Sequence, residues 1–264
     1  MGILGRIDTF ITWFDGVVWG LPLIILILVT GIFLTVRLGL LQVRYLGKAL
    51  KFMVKNEEDG HGEVTSFGAL CTALSATIGT GNIVGVATAI SAGGPGALFW
   101  MILTAFLGMA TKYSEGLLAV KYRTIDEDGH VLGGPFYYIE NGMGVKFRWL
   151  AKIFAFFGAG VGLFGIGTFT QVNGISSAVR NFFDPNMAHT VALFGNDYSW
   201  ATVISCLVLT VCVGMVVLGG IKRIAKVSEI VVPFMAVLYV VLAVIIMVTN
   251  ITAIPAAIVT IVKS

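Results

Sequence analysis

The 264-residue chain is 57% hydrophobic and only 12% charged, with a mean hydropathy of +0.95, whereas soluble domains carry about 25% charged residues. That composition excludes a soluble domain, and a formal net charge of +3 gives no reason to expect a nucleic-acid partner. Cys71, Cys206 and Cys212 all fall inside apolar runs, an odd number without CxxC spacing, so they read as buried thiols rather than disulfides or metal ligands.

The first apolar run, Val17 to Val36, is longer than the roughly 7–15 residues of a signal-peptide core, and no small-x-small cleavage pattern follows it. It reads as a retained transmembrane helix. Crossing about 30 Å of hydrocarbon takes roughly 20 apolar residues. Six segments meet that length: 17–37, 66–92, 95–120, 150–178, 199–219 and 228–249. Backbone polar groups in lipid must be satisfied within the segment, and continuous runs without alternation exclude a β-barrel, so an all-α membrane protein with six transmembrane helices is predicted.

Lysine and arginine set the orientation. Arg37, Arg44, Lys48, Lys51 and Lys55 follow the first segment; Lys121, Arg123, Lys146, Arg148 and Lys152 follow the third; Lys222, Arg223 and Lys226 join the fifth and sixth. Those loops share one side if every segment spans once, and the other side holds only Arg6, Arg180 and Lys263. The basic loops are therefore expected to be cytoplasmic and the amino terminus outside. GGPFYYIENGMG, Gly133 to Gly144, mixes aromatics with turn residues and suits the membrane interface. The tail from Thr249 to Ser264, with Pro255, predicts an outer surface helix that stops abruptly and leaves the chain looking unfinished.

The second segment contains ALSATIGTGNIVGVA, in which Gly79 and Gly81 each cost about 1 kcal/mol of helix propensity relative to alanine. An unwound stretch at membrane depth is tolerated where it is buried in protein or lines a water-filled cavity. It would free N–H groups suited to a carboxylate and carbonyls suited to a cation. Ser75, Thr77, Thr80 and Asn82 add hard neutral oxygens appropriate to sodium. Spacing equally allows Gly81 and Gly85 to form a GxxxG packing face, with Thr77 and Thr80 bonded back to their own helix.

In the fourth segment, Gly167, Gln171 and Gly174 share a face, framing a long amide with glycines. Gln171 suits either a substrate contact or an interhelical hydrogen bond. Phe164 and Phe169 are candidates to cover a pocket, or are lipid and core packing. Lys112 and Glu115, three residues apart, and Glu229 lie near the cytoplasmic ends, where a structural pair and an end anchor are the simpler reading than a gate. His61, His130 and His189 sit in loops and suggest no proton relay.

Taken with GGPGALFWMILTAFLG, Gly93 to Gly108, and GGPFYYIENGMG, the ALSATIGTGNIVGVA stretch resembles the alanine or glycine:cation symporter family, whose members have the leucine-transporter fold. One departure is Ile102, where the family usually has Trp after Met101. The resemblance spans nearly the whole chain. It implies a secondary transporter of the cell membrane that imports a small neutral amino acid with sodium as co-substrate. In that fold a five-helix repeat, its first helix broken, is followed by an inverted copy. Residues 1–62 would be a leading helix and cytoplasmic loop, 63–250 the first repeat, and 251–264 the start of an outer surface helix. The second repeat is absent, so the resemblance implies either an amino-terminal half or a chain that must pair with another.

By position, the resemblance places the substrate carboxylate on the N–H groups of Thr80 and Gly81 in the Gly79–Asn82 break. It puts Gln171, framed by Gly167 and with Phe164 nearby, on the substrate. The Thr77 carbonyl and Asn82 side chain would hold one sodium, and the carbonyls of Ser75 and Ile78 part of a second. The competing classes are a non-transporting membrane subunit or scaffold, an ion channel and an enzyme. No filter motif such as TVGYG supports the channel. No nucleophile–base pair or carboxylate pair at membrane depth supports the enzyme.

Overall fold

The computed structural model describes residues 3–54, 64–165, 167–193 and 195–264. Lys55 and His61 lie outside them, as does the boundary expected at residue 62. Helix α1 (Ile3–Val18) meets α2 (Leu21–Arg37) at Gly20, with Pro22 in the first turn of α2, where its missing N–H breaks no helical bond. Two short helices follow, α3 (Leu41–Arg44) and α4 (Leu46–Val54). Next come α5 (Ser66–Thr77), a 3-10 turn at Thr80–Asn82, α6 (Val84–Gly93) and α7 (Gly96–Lys121). Strands β1 (Thr124–Ile125) and β2 (Val131–Leu132) make a small antiparallel hairpin before α8 (Pro135–Met143) and α9 (Arg148–Phe164). Helix α10 (Thr168–Phe183) leads to a second hairpin, β3 (Thr190–Leu193) with β4 (Asn196–Ser199), in which Thr190 pairs with Ser199 and Leu193 with Asn196. Helices α11 (Trp200–Val217), α12 (Gly220–Thr249) and α13 (Ile254–Lys263) complete it.

The protein is all-α apart from these hairpins. Among the described residues, five helical stretches are long and apolar enough to cross a membrane: Gly5–Arg37, Gly96–Lys121, Val145–Phe183, Trp200–Val217 and Gly220–Thr249. The segment expected over 66–92 is divided into α5 and α6, of 12 and 10 residues, each too short to span alone. The expected helix over 150–178 is also not continuous. It is α9 and α10, separated where Gly165 and Gly167 take φ values of +59° and +91°, which a side chain disfavours. Helix α12 starts at Gly220 rather than 228, because its polar first turns continue the helix that buries Ala225 and Ser228.

Small residues make the tightest seams, as close approach of helices in an apolar medium requires. Helix α5 packs most extensively on α12, with Gly68 and Cys71 buried on one side and Ala225, Ser228 and Val232 on the other. Glu229 sits at the start of α5: Thr65 caps that helix, accepting from the Gly68 N–H at 2.9 Å, and its hydroxyl donates to Glu229 Oε1 at 2.8 Å. A Cβ on Gly68 would lie 2.5 Å from that carboxylate oxygen. Helix α2 meets α7 at Gly31, where a Cβ would be 2.9 Å from Leu107 Cβ. Lys112 and Glu115 form an exposed 2.8 Å ion pair on α7. Arg148 reaches Glu140 at 2.8 Å, tying α9 to α8.

Past α10, Asp184 is buried at 4% exposure. It accepts from the Ser199 hydroxyl at 2.6 Å and the Ala188 N–H at 2.7 Å. The Ser199 hydrogen bond, with smaller help from the backbone of Ala188 and His189, holds its carboxyl below the usual carboxylate range against the opposing effect of burial. The hydroxyl of Ser199 also accepts from the Ala201 N–H at 3.3 Å, capping α11. One buried carboxylate thus joins the end of α10 to the start of α11.

Candidate substrate and cation site

Helix α5 ends at Thr77 because the next two residues are extended: Ile78 at φ −86°, ψ 112° and Gly79 at φ −148°, ψ −163°. The chain then makes one 3-10 turn, closed by Asn82 N–H to the Gly79 carbonyl at 3.1 Å and Ile83 N–H to the Thr80 carbonyl at 3.2 Å, before α6 starts. A helix end leaves its last carbonyls and a helix start leaves its first N–H groups without intrahelical partners. Among the described residues, no hydrogen bond reaches the carbonyls of Ser75, Ala76, Thr77 and Ile78, and none uses the N–H groups of Gly79, Gly81, Val84, Gly85 and Val86. Acceptors and donors are thereby gathered on opposite sides of one short turn. Such a turn presents carbonyl oxygens to a cation and N–H groups, with the positive end of α6, to an anion.

The Thr80 N–H is the exception. It donates to Gln171 Oε1 at 2.9 Å, across 91 residues of sequence. Gly79 lies under that amide: a Cβ there would be 2.9 Å from Gln171 Cδ, so the amide would have to shift away from Thr80. Gly174, one helical turn on, accepts Thr80 in the same way: a Cβ on Gly174 would be 2.6 Å from Thr80 Cγ2. The two candidate walls, the glycine break and the Gln171 face of α10, therefore meet.

The remaining candidates divide. Gly167 caps α10 and takes the Gln171 N–H on its carbonyl at 3.3 Å, so it positions the amide rather than lining the turn. Phe164 ends α9 and Phe169 opens α10 with 69% and 75% exposure, their rings not packed on the break. The hydroxyls of Ser75 and Thr77 do bond back to their own helix, to the carbonyls of Thr72 at 2.7 Å and Ala73 at 2.8 Å. Each keeps lone pairs, and Ser75 accepts from the Ser228 hydroxyl at 3.3 Å. Asn82 is exposed, with no side-chain hydrogen bond among the described residues. Nothing lies within 4 Å of a Cβ built on Gly81 or Gly85, so these two glycines make no helix packing face within the described residues.

Sequence reasoning passed over two contributors. Ser228 has a visible signal, since Ala225, Ser228 and Val232 recur at helical spacing as a narrow stripe on α12. Gly165 has a weaker one, being one of several glycines in GAGVGLFGIG.

Among the described residues, five long apolar helical stretches, with two shorter apolar helices meeting at a turn of unpaired backbone groups, define a multi-pass helical membrane protein. The chain belongs to the sodium:alanine symporter family, whose model matches residues 5–264. It is 52% identical over 258 residues to a Haemophilus influenzae protein described as an uncharacterized transporter, covering 98% of this chain and 53% of that one. It is 48% identical over 242 residues to the sodium/alanine symporter AgcS of Methanococcus maripaludis, covering 89% and 49%. It is 39% identical over 255 residues to the putative sodium/proton-dependent alanine carrier protein YrbD of Bacillus subtilis, covering 97% and 49%. The chain spans about half the length of the curated relatives it matches.

Proposed function

We propose that this chain forms the amino-terminal portion of a secondary transporter that carries a small neutral amino acid, alanine or glycine, into the cell with sodium. The observation that carries the reading is the Thr80–Gln171 hydrogen bond, because it joins two stretches far apart in sequence at a turn flanked by backbone groups without partners among the described residues. The substrate carboxylate takes the N–H groups of Thr80 and Gly81, and the Gln171 amide turns to meet the amino acid as it arrives. Sodium takes the carbonyls of Thr77 and, at a second position, Ser75 and Ile78, with Asn82 able to reach ion and carboxylate. All of these are neutral oxygens, which suit a hard monovalent cation that must also leave. Glycines at 81 and 85 leave room for substrate.

In this reading α5 and α6 together make a sixth crossing, helices between 63 and 250 form one repeat of the leucine-transporter fold, and the basic loops face the cytoplasm. The complementary repeat comes from a longer polypeptide or a second chain and supplies the remaining ligands. Relatives twice as long and named for sodium and alanine support that arrangement. A scaffold that merely packs on its glycines is disfavoured by the open surroundings of Gly81 and Gly85.

Sodium-dependent uptake of labelled alanine and glycine into proteoliposomes tests the proposal, with this chain alone and with a chain extended to the length of its relatives. Uptake by the longer chain only is the expected result. Its absence from both, with helical folding verified, would overturn the transporter reading.

A further inference from the structure

Away from the break, α3, α4 and α7 line a cavity of about 540 Å³, with Gln42, Tyr45, Lys48, Phe52, Met109 and Tyr113 among its residues. Its walls are apolar and aromatic, with two polar features. Gln42 is 7% exposed and spends its Nε2 on the Thr35 hydroxyl at 2.9 Å and the Phe106 carbonyl at 3.2 Å. Its Oε1 is buried and has no hydrogen-bond donor among the described residues, a costly arrangement that a ligand donor would relieve. The second feature is the charge of Lys48 in the lining, with further cations nearby in sequence. Lys48 Nζ stands 5.2 Å from the Tyr45 ring centroid, and Arg44 and Lys51 lie on the same two short helices. None of the three makes an ion pair within the described residues.

Helix α4, LGKALKFMV, adds the third property. Leu46, Leu50, Phe52 and Met53 are largely exposed beside Lys48 and Lys51, the composition of a helix that lies in a membrane surface with lysines at headgroup level. Apolar side chains, cations with no ion pair among the described residues and a buried acceptor without a donor there match one class of molecule.

We propose that this cavity binds an anionic glycerophospholipid with a hydroxyl-bearing headgroup. The phosphate pairs with Lys48 and Lys51, a headgroup hydroxyl donates to Gln42 Oε1, and the acyl chains run along the exposed apolar residues of α4. The proposal rests on the chain residing in a bilayer and is independent of what it transports. A transport failure and a lipid failure therefore leave separate traces.

The test is lipid retention by native mass spectrometry, after extraction from bilayers of equimolar phosphatidylglycerol and phosphatidylcholine. The wild-type chain should retain phosphatidylglycerol in preference to phosphatidylcholine. Lys48→Gln with Lys51→Gln should lower that retention roughly twenty-five-fold, each surface cation being worth about a fivefold change in lipid binding. Ala49→Trp, which fills the cavity from a residue on its lining, should lower it without removing charge. Circular dichroism establishes that the variants remain helical. Equal retention of the two lipids by the wild type would overturn the proposal. So would retention untouched by the lysine pair, or by Ala49→Trp, the latter leaving only a surface attraction. Absence of bound phospholipid together with a dimer that Ala49→Trp dissociates would give the cavity to a second copy and also overturn it.

Discussion

The glycine breaks between α5 and α6 and between α9 and α10 differ in what they leave unpaired among the described residues. Between α5 and α6 the backbone opens: Ile78 and Gly79 are extended, and carbonyls and N–H groups on either side of the turn lack partners within the described residues. Between α9 and α10 the backbone closes on itself. There the Gly165 N–H donates to the Gly162 carbonyl at 3.4 Å and the Thr168 N–H to the Gly165 carbonyl at 3.0 Å, with both glycines at positive φ. The first break leaves donors and acceptors free for the proposed ligands. The second is a bend that carries Gln171 to it.

Substitutions should separate these roles. The largest effect is expected from Gly79→Val, which forces a side chain into the Gln171 amide; overpacking of this kind costs about 1–3 kcal/mol, so alanine affinity should fall by roughly tenfold to hundredfold in a binding assay on the extended chain. An unchanged affinity would mean that the two walls do not act together. Asn82→Ala should weaken the apparent sodium affinity by about tenfold, comparable to losing one hydrogen bond to a charged group, with little change in thermal stability because the side chain is exposed. Unaltered sodium dependence in an active transporter would remove Asn82 from the ion site.

The second break should respond differently. Gly167→Ala places a side chain at φ +91°, at an expected cost of about 1–2 kcal/mol in stability. It should lower the unfolding temperature more than it alters sodium affinity. The reverse pattern would make the second break part of the ion site.

The smallest effect concerns the far end of α10. Asp184 has a carboxyl held below the usual range, so its contribution to stability is complete above the unfolded value of about 4 and is lost as pH falls through the lower folded value. Thermal unfolding followed against pH should show this acid-side loss, and Asp184→Asn should flatten it. Persistence of the same acid profile in the variant would assign the loss to another carboxylate.

Much of the first break was legible because glycines and a carboxamide are out of place within an apolar run, and Gln171 because a lone amide stands among glycines at helical spacing. Their mutual contact was not, since it depends on how α10 is aimed. That aim is set at Gly165 and Gly167, and composition does not say whether a glycine serves close packing, as at Gly174, or a positive φ, as at Gly165. Helix α1 was passed over because Arg6, Asp8 and Asp15 interrupt its apolar pattern. The β3–β4 hairpin was passed over because its strands are short and exposed. The polar first turns of α12 look like a loop until their packing on α5 is seen.

The proposed site depends most on the open backbone around Gly81, where a Cβ would meet nothing within 4 Å and a larger side chain has space to fold without strain. Sodium-dependent alanine binding to the extended chain, measured calorimetrically for the wild type and for Gly81→Leu at matched helicity and unfolding temperature, tests that dependence directly. Binding by the wild type and none by the variant is the predicted result. Retained sodium-dependent affinity in Gly81→Leu would contradict it and leave the break without a role in holding substrate.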